Sequence, residues 1–150
     1  MVIPENLEDV EALPVAKQLV LELAAITHKL RIHLEHKQEA LLSEDVEVIG
    51  KLLSEEGLLL QQARRKQKGL DAELRKNGKL SPAGGYSPWL AELYPSCTPE
   101  EQQQLTTLTE DTIACQEMQV AQQELLRNSL LYYESMSRFL SGVRDWTYTK

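Results

Sequence analysis

The chain has 150 residues, a formal net charge of −7 and a sequence pI of about 5.0. That length suits one domain with a real core, and the acidic balance repels phosphate backbones, which argues against a nucleic-acid partner. No run reaches the roughly 18 to 20 apolar residues that span a bilayer, the acidic opening MVIPENLEDVEALP lacks a signal peptide's basic and apolar regions, and the cysteines Cys97 and Cys115 are far from any CxxC spacing, so a reduced cytoplasmic protein without membrane insertion is expected.

Leu, Gln, Glu, Lys and Ala dominate, and no alternating strand pattern appears. The chain therefore reads as all-α, a single domain built as an antiparallel bundle of three long helices with coiled-coil-like packing, the last two joined by a loop with a short helix. The first helix runs from about Val15, or from Leu7, to about Leu42. Pro14 is tolerated if it falls in a first turn. Leu19, Leu23, Ile26, Leu30, Leu34 and Leu41 recur at helical spacing and are its expected buried stripe. Ser43 breaks the pattern and can cap the next helix, with Glu44 and Asp45 in its first turn.

The second helix is expected from about Glu44 to Lys76, ending at Asn77-Gly78. Val46, Ile49, Leu53, Leu60, Ala63, Leu70 and Leu74 keep a 3-4 spacing, with Glu56 and Gln67 between them, which is a coiled-coil-like seam. The short link makes the first two helices an antiparallel hairpin or one bent helix. The basic cluster Arg64, Arg65, Lys66 and Lys68 reads as a solvated helix face.

Residues 77–97 change composition and form a loop. Within it Ser87-Pro88 opens a short helix with Trp89, Leu90 and Leu93, expected to plug one end of the bundle. Thr98-Pro99-Glu100-Glu101 then starts the last helix with a capping box. That helix is expected to end near Ser141 or Gly142, leaving 143–150 as a flexible tail.

The last helix carries more apolar surface than one-sided packing uses. Measured from Leu125 around the helix, Met136 and Val143 lie within about 20°, Tyr132 and Phe139 to one side, and Leu140, Tyr133, Leu126 and Leu130 to the other. The arc is about 180° wide, against the roughly 100° that a packed surface helix needs. Either this helix is central and all of the arc is core, or one flank is open. An open flank is a seat for a partner's amphipathic helix or for a second copy of the chain.

Catalytic sets are missing from the pattern. His28, His33 and His36 sit on the first helix, and HLEH at 33–36 could hold a metal only weakly, without a signposted third ligand, so they read as solvated. Gly84-Gly85 is followed by no GK[ST] and is no phosphate loop. No glutamate on the first helix precedes a histidine by three, as a carboxylate-bridged metal site in a helical bundle requires. Neither an enzyme nor a cofactor is expected.

The layout resembles the FlgN family of flagellar export chaperones. The short helix SPWLAEL, the core ELLRNSLLYY at 124–133, and the closing FLSG at 139–142 with Thr147-Tyr148 carry the likeness. Where the family often has asparagines ahead of the Leu-Leu pair, this chain reads QVAQQE. The resemblance implies a cytoplasmic chaperone that binds C-terminal segments of hook–filament junction proteins, blocks their premature assembly and hands them to components of the flagellar export apparatus. It implies no cofactor and no chemical step. The expected contact face is Leu126, Leu130, Tyr133 and Ser137, with Tyr132 and Phe139 as the alternative. A homodimer through the same arc is the competing expectation.

Overall fold

The structure is a computed structural model that describes the backbone of residues 3–82 and 85–148, and the side chains in that range except 3–13, 129–130, 132–133 and 143–148. It is all-helical, with α1 (Ile3–Ser43), α2 (Val46–Lys76), α3 (Ser87–Leu93), a single 3-10 turn (Tyr94–Ser96) and α4 (Pro99–Tyr148).

Local chemistry sets most of the boundaries. Ser43 closes α1 and its hydroxyl donates to the Ala40 carbonyl. The cap of α2 is Asp45, two residues later than expected, whose carboxylate accepts from the Val48 amide at 3.3 Å. α2 ends where Asn77-Gly78 places it. Gly78 has φ +66, and the amides of Gly78 and Lys79 donate back to the Arg75 and Leu74 carbonyls, a Schellman ending that favours glycine. At the start of α4 the Thr98 amide donates to Glu101 Oε1 at 2.9 Å, and the Glu101 amide donates to Thr98 Oγ1 at 3.2 Å. This is the expected capping box.

Three further boundaries differ from the sequence reading. Pro14 lies inside α1 and not in its first turn, so the helix passes it at the loss of one amide donor. Ser87 is the first helical residue of α3 and Tyr86 its cap, with no side-chain capping bond. α4 continues past Gly142 to Tyr148.

α1 is the element with long neighbours on two sides. Against α2 it runs antiparallel, with Glu22 bound to Lys66 at 2.5 Å, His33 Nε2 donating to the Leu52 carbonyl at 2.7 Å, and Lys37 bound to Glu56 at 2.6 Å. Against α4 it runs parallel, through Lys17 with Glu101 at 3.1 Å, Arg31 with Asp111 at 2.9 Å, and Gln122 Nε2 donating to the Leu34 carbonyl at 2.8 Å. α2 and α4 make little contact with each other. The chain is therefore more open than a closed three-helix bundle, and the last helix is not the central one.

The main core lies at the end where α4 begins. Ala16, Val20 and Ala24 of α1 meet Leu70 and Leu74 of α2, and Leu105 and Leu108 of α4. Small residues on α1 let its two neighbours approach, and Trp89 and Leu93 of α3 fill the remaining space between α2 and α4. Trp89 is 1% exposed, so α3 is a wedge held by burial and not by its own helical strength. A second, smaller cluster joins Leu30 and Leu34 to Cys115, with Leu59, Leu60 and Met118 at its edge.

Candidate functional site on the last helix

The expected stripe of α1 is buried only in part. Leu30 and Leu34 are core, whereas Leu19, Leu23, Ile26 and Leu41 are half-buried. The seam of α2 departs further. Leu70 and Leu74 are core, but Val46 is 76% exposed and Leu53 44%. Glu56 is buried because Lys37 meets it, which the heptad spacing alone does not show.

Further along this seam, at Leu60 and Ala63, α2 borders a groove. The groove has a volume of about 470 Å³; Leu23, Thr27 and Leu30 of α1 form its floor. Leu60, Ala63 and Gln67 line it from α2, and Ile113, Gln116 and Gln119 from α4. Tyr86, Ser87 and Leu90 close one end. The Tyr86 hydroxyl donates to Asp71, which fastens that end to α2. Burial and the carboxylate beside it push the Tyr86 hydroxyl well above its ordinary value, so it stays a donor.

α4 outlasts its support. Gln122 is level with Leu34, so Ser43, the last residue of α1, is level with about residue 131 of α4. Residues 132–148 rise about 25 Å further at 1.5 Å per residue. Beyond the bundle Phe139 is 64% and Leu140 59% exposed, and Leu131 and Met136 are exposed as well. Several large apolar side chains on one helix, uncovered, form the kind of patch that marks a docking surface.

Among the expected contact residues, Leu126 is half-buried near the end of the supported stretch, and Ser137 and Phe139 are exposed. The side chains of Leu130, Tyr132 and Tyr133 lie outside the described residues. What the sequence reading passed over is the α2 wall of the groove. Its signal, the 3-4 spacing from Val46 to Ala63, was read as packing against a neighbour inside the chain.

The polar groups near the helices serve packing. Asp111, 1% exposed, accepts from Arg31 Nη1 at 2.9 Å and lies 3.0 Å from His28 Nδ1. That carboxylate, helped by Glu35, raises the Arg31 guanidinium above its ordinary value. His33 is buried and bonded to the Leu52 carbonyl, contrary to the solvated reading, while His36 is exposed. Burial, with Asp111 nearby, pushes the Cys115 thiol up to about 11. Among the described residues no group of three His, Cys, Asp or Glu side chains is placed to hold a metal ion, and no helix is long and apolar enough to cross a membrane.

A long-helix scaffold with an apolar groove and an uncovered apolar helix end has the kind of surface on which amphipathic helices dock. The family model described as FlgN protein matches residues 14–150, and the chain belongs to the FlgN family. It is a family of chaperones in flagellum assembly and export, not of enzymes. No curated protein and no solved structure matches the chain significantly.

Proposed function

We propose that this protein is a cytoplasmic flagellar export chaperone that binds the C-terminal amphipathic segment of hook–filament junction proteins. It prevents their premature assembly and delivers them to the type III export gate. The observation that carries this reading is the uncovered apolar end of α4, in a member of a flagellar chaperone family. A client's amphipathic helix buries its apolar face there and leaves its polar face in water. If the client segment is disordered when free, ordering it offsets part of the binding free energy, which suits a chaperone that has to let go. Leu126, Leu130, Tyr133 and Ser137 form the proposed contact face, with Tyr132 and Phe139 on the opposite flank. Tyr132, Tyr133 or Tyr148 is the proposed contact with the export apparatus.

The test is isothermal titration with a synthetic peptide covering the C-terminal helix of a hook–filament junction protein of the same organism. One-to-one heat with a negative heat-capacity change supports the reading. The double variant Leu126→Ser, Leu130→Ser is then expected to weaken binding with nearly unchanged helix content. No heat at several temperatures, with a concentration-dependent dimer in sedimentation, assigns the apolar face to a second copy of the chain.

A further inference from the structure

Three helices of this chain leave the place of a fourth. The seam of α2 is only partly covered by α1: Glu56 meets Lys37, but Val46 is 76% and Leu53 44% exposed, and lower down Leu60 and Ala63 line the groove. The facing wall is apolar too. Ile113 lines the groove, and Val120, seven residues on and therefore on the same side of α4, is exposed. Gln119 lines the groove as well, and helical spacing carries its side of α4 on to Leu126 and Ser137.

Two glycines sharpen the picture. Gly50 and Gly57 lie inside α2, about a quarter turn from the centre of the seam, and a Cβ built on either meets nothing within 4 Å. Each weakens a helix by roughly 1 kcal/mol relative to alanine, and nothing in this chain occupies the space they leave. A partner helix crossing close to the α2 backbone does use that space.

The charge around the groove selects the partner. No charged side chain lines it. Arg64 and Lys68 stand on its α2 lip, exposed and without an ion pair among the described residues. They complement an acidic flank, near the end closed by α3.

We propose that the groove between α2 and α4 is the seat of the client helix, which lies over α1 as the fourth helix of the bundle and continues along the Leu126 and Ser137 side of α4. The occupant is an amphipathic helix with acidic residues toward the α3 end. From exposed Val46 down to Gln67 in the groove, α2 rises about 32 Å, a length that accommodates roughly 20 helical residues. This proposal rests on the chaperone reading and adds α2 to the binding surface.

The experiment compares the unmodified protein with Gly57→Leu, Leu53→Glu and the pair Arg64→Glu, Lys68→Glu in titration with the same junction-protein peptide. Gly57→Leu fills open space and adds helix propensity, so its thermal midpoint is expected to hold or rise while affinity falls about tenfold or more. Leu53→Glu is expected to weaken binding similarly, and the charge reversal to weaken it several-fold and abolish its salt dependence. If Gly57→Leu loses helix content, the exposed charge pair decides the question. Wild-type affinity in these variants, alongside loss of binding in Leu126→Ser or Phe139→Ser, overturns the groove and leaves the chaperone reading standing. No binding to the unmodified protein overturns both.

Discussion

Lys37 of α1 and Glu56 of α2 form an ion pair, Nζ to Oε2 at 2.6 Å, with side chains only 6% and 10% exposed. Two charges are taken out of water between helices, and each satisfies the other. Breaking such a pair from one side leaves an unpaired buried charge, which costs about 3 kcal/mol or more. Glu56→Ala is therefore expected to lower the urea midpoint strongly. Lys37→Met with Glu56→Leu is expected to restore stability or exceed it, since apolar replacement of a whole buried pair is often neutral or favourable. A double variant as unstable as Glu56→Ala removes this account.

Trp89 places the short α3 in one buried cluster with residues of all three long helices. Seven residues do not hold a helix alone in water, so α3 depends on this burial. Trp89→Ala is expected to cost about 4 kcal/mol in chemical denaturation. Hydrogen exchange in α3 is expected to rise more than exchange in the middle of α1. A loss under about 1 kcal/mol shows that α3 is not part of the core.

Two carboxylates make the protein acid-sensitive. The Thr98 amide, then Lys17, hold Glu101 below the ordinary value of 4.5, and Lys66 and Gln18 do the same for Glu22. A carboxylate with a lowered folded value contributes its stability above its unfolded value and loses it as pH falls through the folded one. The thermal midpoint is expected to drop on acidification from about pH 5 to pH 3, and Glu101→Gln to flatten that slope. Glutamine keeps the reach of the capping side chain while removing its titration. An unchanged slope in Glu101→Gln assigns the acid sensitivity elsewhere.

Both thiols are expected to be silent in the folded protein. Burial pushes Cys97 up and Cys115 to about 11, so little thiolate exists at about pH 8. A thiol reagent is expected to react slowly with the native chain and with both cysteines once denaturant is added. Fast labelling of Cys115 in the native state contradicts its place between α1 and α4.

Replacing Thr98 by Ala removes the hydroxyl that accepts from the Glu101 amide. The expected cost is about 1 kcal/mol, read as a shift in the unfolding midpoint. A loss well below that shows the solvent taking over the cap.

Much of this fold was legible in the chain itself, because caps and periodicity are local. Thr98 and Glu101 are three residues apart, and Asn77-Gly78 needs only its own backbone, so their roles follow from short stretches. The same holds for the helical class, the short helix around Trp89 and the surplus apolar arc near the end, which a 100° step per residue reveals. The start of α2 was misread by two residues because Ser43 and Asp45 are both competent caps, and only the turn geometry chooses between them.

What tertiary structure alone decided is which face meets which. A helical seam has the same spacing whether it packs on a neighbour or faces open space, so Val46 and Leu53 gave no sign of their exposure. Lys37, Glu56, Asp111 and Gln122 look solvated by residue type, yet each is buried by a partner on another helix. The partners of Asp111 and Gln122 lie 80 or more residues away in the chain. The centrality of α1, the gap between α2 and α4, and the unsupported end of α4 depend on relative helix lengths and register. Those are set by the sum of weak contacts between distant segments, which no single stretch of sequence contains.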